Sequence, residues 1–83
     1  MVDLNNVGYV LASKYRRLIL EALLRRSMTI NEMAEVYAIN KRSLYGPARD
    51  LRDLALISKN KHVYNINDEG IHTITFIHEK WGK

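Results

Sequence analysis

The segment from Thr29 to Ile57 constrains the fold of this chain more than any other part of it. Thr29 and Glu32 have the spacing of a capping box, in which each side chain accepts a free backbone N–H from the other residue at a helix start. That helix has room for about two turns before residues 38–40, and Asn40 is a natural N-cap for the next helix. The segment therefore predicts two short helices joined by a tight turn.

The second of these helices combines an apolar stripe with a basic outer face. Its apolar residues recur at intervals that place them on one side of a helix, facing the core. They are Leu44, Ala48, Leu51 and Ala55. The residues at the helix start and on the remaining faces are available to a partner, and we single out Lys41, Arg42, Ser43, Tyr45, Gly46, Arg49 and Arg52.

The chain before this segment predicts one further helix. Ser13 is a suitable N-cap for a helix over about residues 14–26, which has a regular apolar face. Leu20 and Leu24 fall on the opposite face, which indicates a second buried surface. Residues 1–12 form a short lead in which Gly8 interrupts the helical pattern.

After Ile57 the apolar pattern changes from helical spacing to alternation. Residues 58–62 are polar, and the alternation over 63–67 predicts a hairpin that pairs about 56–58 with 63–66. Met28-Thr29 is available as a third short strand. Asn67 is expected to cap a last helix over about 68–81, which is apolar nearly all round.

Length and charge set limits on what the chain can do. Its 83 residues carry no repeat or linker and fit one domain, 1–83, whose size leaves no room for a large substrate cavity. The excess of 13 Lys and Arg over 9 Asp and Glu favours polyanionic partners. Cysteine is absent, which excludes disulfides and thiolate metal sites. The chain contains no signal peptide and no bilayer-spanning run, so we expect a cytoplasmic protein without a membrane partner.

Residues 32–57 follow without a gap the pattern ELAxxLGVSxxTVSRHLxxLxxAGLV, and 63–70 are similar to the segment YxLTxxG that follows it. On these residues the chain resembles small winged helix-turn-helix transcription regulators of the ArsR and MarR type, in their archaeal or archaeal-virus form. The resemblance covers nearly the whole chain. It implies a mainly α fold with a small β-hairpin, in the order α-α-α-β-β-α, with a helix-turn-helix at about 30–55, a wing at about 56–66 and a C-terminal dimerisation helix.

The sequence departs from that pattern at three places. Ala38 and Ala55 replace two glycines, which is tolerated if the backbone stays in its ordinary regions. Gly46-Pro47 lies inside the recognition helix, where a proline costs on the order of 3 kcal/mol. The helix therefore bends there or begins at Pro47, a favoured first position. We favour the bend, because Leu44 must face the core.

The resemblance makes the outer face of the third helix the expected DNA-reading surface. The forked guanidinium of arginine matches the O6 and N7 acceptors of guanine, and Ser and Tyr hydroxyls can form hydrogen bonds with base edges or phosphates. Gly46 has no side chain and lets DNA approach closely. The expected wing residues are Lys59, Asn60, Lys61 and His62. The alternative for the helix is that its charged face is only solvated, and the alternative for the wing is that it is an ordinary polar turn. Lys14, Arg16 and Arg17 could touch phosphates, although surface solubility explains them equally simply.

Family members of this type pair through their first and last helices, which predicts a homodimer. The expected dimer interface consists of Leu20, Leu24, Ile74, Ile77 and Trp81. Two recognition helices would then read a palindromic site. The alternative is that the residues of the last helix only close a small core.

Other site chemistry has little support in the sequence. His72 and His78 are six residues apart and face different ways, and Asp68 with His72 supplies only two metal ligands. Nucleophile–base groupings, Gly-rich phosphate loops and paired carboxylates are absent. We therefore expect no enzyme activity, no metal, no cofactor and no small-molecule ligand.

The sequence thus favours a sequence-specific double-stranded DNA-binding transcription regulator. Two alternatives remain, which are a winged-helix protein–protein interaction module and a non-specific nucleic-acid-binding protein.

Overall fold

The computed structural model describes residues 2–82 as five helices and one three-stranded antiparallel sheet. The elements are α1 (Leu4–Leu11), α2 (Lys14–Arg25), β1 (Met28–Thr29), α3 (Ile30–Tyr37), α4 (Arg42–Asp53), β2 (Ile57–Asn60), β3 (Val63–Ile66) and α5 (Asp68–Trp81). The predicted fold class, mainly α with a small hairpin, is confirmed. Residues 1 and 83 of the predicted domain lie outside the described range.

α1 corrects the expectation that residues 1–12 are only a lead. The Asp3 carboxylate accepts the Asn5 N–H at 2.9 Å and caps the helix, and Val7 and Val10 bury its inner face. Gly8 lies on the outer side, where a Cβ would meet nothing within 4 Å. The glycine weakens this helix without stopping it, because burial of one face stabilises helices more than propensity does.

The buried positions of α2 and α5 overturn part of the predicted dimer interface. α2 packs against α1, α4 and α5, so most of its circumference is covered. Leu20 of α2 is fully buried, and so are Ile74 and Ile77 of α5. These three residues belong to the core of the chain itself. Leu24 and Trp81 are the members of the predicted set that are exposed.

The capping signals act where the sequence predicted them. The Thr29 hydroxyl accepts the Glu32 N–H at 3.1 Å, and the Glu32 carboxylate accepts the Thr29 N–H at 2.8 Å, which completes the capping box of α3. The Ser13 hydroxyl accepts the Arg16 N–H at 3.3 Å at the start of α2. The Asn40 side chain accepts the Arg42 N–H at 2.9 Å and orients the start of α4.

α4 runs through Pro47 as one helix, so the alternative that it begins at Pro47 is wrong. The predicted core stripe is confirmed at Leu44, Ala48 and Leu51, which are fully buried, whereas its fourth predicted member, Ala55, is exposed and lies beyond the end of the helix. Burial of this stripe on both sides of the proline holds the helix together.

Two alanines adopt a backbone conformation that the sequence did not predict. Ala38 follows α3 with a φ of 55°, and Ala55 follows α4 with a φ of 59°. Both angles lie in the left-handed region, so the condition under which alanine is tolerated there without strain is not met. These positions retain the turn geometry for which a glycine is the usual residue.

The sheet has the strand order β1-β3-β2, and the predicted hairpin and third strand are both confirmed. In β3, Tyr64 lies between Met28 of β1 and Lys59 of β2. Asn67 precedes α5 as expected, although its amide donates to the Ala55 carbonyl at 3.0 Å instead of capping the helix. None of the helices in residues 2–82 combines the length and the apolar composition needed to cross a bilayer.

Candidate nucleic-acid interface

The outward side of α4 presents the predicted recognition residues to solvent. Ser43 is half-buried and the other six are exposed. Tyr45 is 52% exposed, a high value for a large aromatic side chain on a helix. Arg42, Gly46 and Arg49 follow one another at helical spacing, so they form the centre of this face.

The hairpin of β2 and β3 lies beside α4 and continues the same surface. The four predicted wing residues are all exposed at its tip and along β2. Lys59 points across the sheet, with its Nζ 5.6 Å from the centre of the Tyr64 ring. The buried Tyr64 ring thus gives this exposed cation a favourable contact within the wing.

An open groove runs between α4 and the sheet. Its walls are formed by Tyr45, Gly46, Arg49, Arg52, Lys59 and Tyr64. A second concavity adjoins it at the start of α3 and is lined by Thr29, Ile30, Asn31, Tyr45, Lys59, His62 and Tyr64. Tyr45 and Lys59 belong to both concavities, so the helix, the wing and the start of α3 form one continuous surface, which we call the α4–wing surface.

The structure adds Asn31 and Tyr64 to the residues found by sequence reasoning. Asn31 is exposed at the second position of α3 and faces the wing across the second concavity. Only the alternation of β3 marks Tyr64 in the sequence, and that pattern predicts burial without predicting a neighbour. Lys41, Arg42 and Ser43 at the start of α4 do not line these grooves, nor do Asn60 and Lys61 at the wing tip.

The charges of the α4–wing surface are almost all positive. Six cations lie on α4, at its start or on the wing, and they are Lys41, Arg42, Arg49, Arg52, Lys59 and Lys61. None of the six lies within 4.0 Å of a carboxylate oxygen among residues 2–82. The two acidic residues of α4 are Asp50 and Asp53. Asp53 is exposed, whereas Asp50 is paired with Arg16 of α2. Lys and Arg side chains that contact nucleic-acid phosphates strengthen binding by releasing the counterions of those phosphates.

Arg16 makes contacts within the protein, whereas the sequence suggested a phosphate contact or a solubilising surface position for it. Its Nη2 lies 3.4 Å from Asp50 Oδ2, and its Nη1 donates to the Tyr9 carbonyl at 2.7 Å. The guanidinium also lies 3.6 Å from the centre of the Tyr9 ring. Arg16 therefore connects α1, α2 and α4 from the side of α4 that faces α2.

Arg17 lies on a different side of α2 from Arg16 and interacts with α5. Its Nε lies 2.8 Å from Glu21 Oε2, and the same oxygen lies 3.4 Å from His78 Nε2 of α5. This cluster is separate from the α4–wing surface. No three His, Asp or Glu side chains within residues 2–82 are grouped closely enough to hold a metal ion.

The capping box affects the ionisation of Glu32 near the start of α3. The hydrogen bond from the Thr29 backbone lowers the pKa of Glu32 below its ordinary value of 4.5, and the charge of Arg26 acts in the same direction. Arg26 Nη1 lies 3.7 Å from Glu32 Oε2. A carboxylate in the first turn also suits the positive end of the helix dipole.

Comparison with known proteins identifies the fold. Neither the scan of protein-family models nor the search of curated proteins finds a match. Among solved structures, the chain is similar to the transcriptional regulator BldR from Sulfolobus solfataricus, with a TM-score of 0.72 over 90% of this chain. The two sequences are 17% identical, so the likeness concerns the fold alone, which is a winged helix. This chain spans 60% of the length of that regulator.

Proposed function

We propose that the chain is a sequence-specific double-stranded DNA-binding transcription regulator with α4 as its recognition helix. The observation that carries the proposal is the exposed, cationic face of α4, which lies flush with a basic hairpin. The major groove is about 12 Å wide and admits one α-helix, and a wing beside that helix reaches the adjacent backbone. The fold that the chain shares with a transcriptional regulator supports the same function.

We assign base reading to the centre of the α4 face. Arg42 and Arg49 carry the forked donors that match guanine O6 and N7, with Ser43 and Tyr45 beside them. Gly46 has no side chain between them, so the DNA can approach the helix closely. Each such bidentate contact contributes about 1–3 kcal/mol of discrimination between bases.

We assign contacts with the DNA backbone to the cations around that centre. Lys41 and Arg52 lie at the two ends of α4, and Lys59, Lys61 and His62 extend along the wing. Asn60 lies between the two wing lysines and supplies an amide donor. Contacts with phosphates position the protein on the duplex and strengthen binding without reading sequence.

We also propose that the chain acts as a homodimer on an inverted repeat. Trp81 is 56% exposed at the end of α5, where it packs edge-on against Phe76 with their centroids 6.2 Å apart. Leu24 at the end of α2 is 39% exposed. Contiguous exposed apolar patches are typical of association surfaces, and we assign Leu24 and Trp81 to one such patch. A two-fold dimer would present its α4 helices to major grooves about 34 Å apart.

Selection of bound sequences from a random DNA pool tests the proposal directly. We expect enrichment of an inverted repeat with two half-sites one helical turn apart. The variant Arg42→Ala with Arg49→Ala should then lose preference for the selected site while it keeps part of its non-specific affinity. The variant Arg25→Ala with Lys80→Ala removes the same charge from exposed positions outside α4 and the wing, and it should keep the preference.

The other outcomes separate the alternative functions. Binding that falls steeply with salt, without any enriched sequence, would identify a non-specific nucleic-acid-binding protein. Absence of DNA binding at low salt would favour a protein–protein interaction module. An unchanged preference in the Arg42 and Arg49 variant would overturn the assignment of α4 as the reading element.

A further inference from the structure

Asp50 places a carboxylate within α4, the helix that we propose reads DNA. It directly follows Arg49 and lies on the side of α4 that faces α2, where its side chain is 30% exposed. A free carboxylate at this position would repel the phosphates of a bound duplex. It would also reduce the positive potential of the neighbouring arginine.

Arg16 is held at this carboxylate by contacts outside α4. Its side chain is 19% exposed, so the ion pair with Asp50 is partly shielded from solvent. The Tyr9 ring lies over its guanidinium, and the Tyr9 carbonyl accepts one of its N–H groups. Arg16 is thus fixed by α1 before it meets α4, and a single cation neutralises Asp50.

We propose that Arg16 is a positioning residue of the DNA-binding surface and acts by masking the charge of Asp50. The pair has no net charge, so α4 presents its cations to DNA without opposition from this acid. This inference rests on the proposed function. It goes beyond it by assigning a role in DNA affinity to a residue that lies on another helix and touches no DNA.

A purely mechanical role for the same contact would have a different consequence. If Arg16 only holds α4 in its orientation, loss of either partner should weaken DNA binding. If Arg16 masks the charge, Asp50→Asn leaves the cation of Arg16 unopposed and should strengthen binding. The sign of the Asp50→Asn effect therefore distinguishes the two roles.

The experiment measures the affinity of the full chain for a fluorescein-labelled duplex of mixed sequence in about 0.1 M salt, where screening acts over about 10 Å. We expect Arg16→Gln to weaken binding by about threefold to tenfold and Asp50→Asn to strengthen it by a similar factor. The double variant should lie within about twofold of the wild type. All three differences should shrink at higher salt, because they are electrostatic.

Arg17 and Glu21 supply the matched control. This pair also lies on α2 but faces α5, so Arg17→Gln and Glu21→Gln should leave DNA affinity nearly unchanged. Thermal unfolding of each variant checks that it is folded. If Arg16→Gln does not fold, Arg16→Lys keeps the charge and should retain near-wild-type affinity, and Asp50→Asn still decides the sign.

Weaker DNA binding by Asp50→Asn would overturn the masking role and leave a mechanical one. A double variant whose DNA affinity stays as low as that of Arg16→Gln would also overturn the masking role. If the wild-type chain does not bind the duplex at low salt, the proposed function itself is wrong and this inference falls with it. The wild-type binding curve therefore distinguishes the two failures.

Discussion

Ala38 and Ala55 close their helices in the same left-handed conformation, with φ angles of 55° and 59°. The residue after each alanine donates its N–H back across the helix end, to the Ala34 carbonyl at 2.9 Å and the Leu51 carbonyl at 3.0 Å. These hydrogen bonds fix the turn whichever side chain is present. In an L-residue the conformation brings Cβ close to the next carbonyl oxygen and costs about 1–2 kcal/mol.

Replacement of either alanine by glycine should therefore stabilise the protein. We expect Ala38→Gly and Ala55→Gly each to raise the free energy of unfolding by about 0.5–1 kcal/mol, since relief of strain exceeds the added flexibility of the unfolded chain. Urea denaturation measures the change. Ala12→Gly is the control, because Ala12 ends α1 with a φ of −72° and no left-handed strain to relieve. Destabilisation by all three changes would contradict the strain argument.

Pro47 weakens α4 from within. It is the sixth residue of the helix, where a backbone N–H would otherwise donate to the Ser43 carbonyl. Pro47→Ala restores that donor and removes the clash of the ring, so we expect the free energy of unfolding to rise by about 1–3 kcal/mol. Urea denaturation, monitored by circular dichroism, measures this change in the free energy of unfolding. An unchanged or lower stability would mean that packing of the proline ring compensates for the lost hydrogen bond.

Gly46 allows the residue before a proline to remain helical, since Cβ at that position clashes with the proline ring. A Cβ at Gly46 meets nothing else within 4 Å, and the same is true of Gly8 in α1. In the Pro47→Ala background, Gly46→Ala should therefore add about 0.5–1 kcal/mol of stability, as Gly8→Ala should. In the same background Gly46→Ala should also lower DNA affinity, whereas Gly8→Ala should leave it unchanged. An unchanged affinity for Gly46→Ala in that background would contradict close approach of DNA at Gly46.

The elements that the sequence predicted are those whose signals are local. The capping box of Thr29 and Glu32, the N-cap at Ser13 and the alternation in β3 each depend on residues a few positions apart. α1 escaped prediction because Gly8 lowers its helical propensity, and its stability comes from the burial of Val7 and Val10 against the rest of the chain. Burial of that kind is a property of the assembled fold.

The same reason explains the error at the dimer interface. The sequence suggested an exposed Leu20 because one regular apolar stripe was enough to attach α2 to a core. In the structure α1, α4 and α5 all pack against α2, and Leu20 is buried. The exposed face of α4 was easier to predict, since a single buried stripe fixes which residues of that helix point outward. Sequence reasoning could not find the pair of Arg16 and Asp50, because the two residues are 34 positions apart.

The stability contributed by the capping box should depend on pH. Because the pKa of Glu32 is lower in the folded chain, its contribution is fully present above the ordinary value of 4.5 and is lost as pH falls through the lowered value. Glu32→Gln keeps a side-chain acceptor but does not titrate. The melting temperature of the wild type should therefore exceed that of the variant at neutral pH, and the difference should vanish in acid.

A control for this effect lies on the same helix. Glu35 is exposed and makes no ion pair or side-chain hydrogen bond with another residue in 2–82, so Glu35→Gln removes a charge of the same kind without the capping contact. Glu35→Gln should therefore leave the melting temperature close to that of the wild type. A gap between wild type and Glu32→Gln that persists at low pH would show that the capping carboxylate is not the source.

The proposed homodimer should depend on the exposed Trp81. Exposed apolar side chains drive association because their burial removes them from water, and a charge among them must be desolvated when the surfaces meet. We therefore expect light scattering to find a mass of two chains for the wild type and of one chain for Trp81→Glu. Val36→Glu is the matched control, since Val36 is 57% exposed on α3 and lies outside the proposed interface. A dimeric Trp81→Glu would place the interface elsewhere, whereas a monomeric wild type would leave each α4 to read a single half-site.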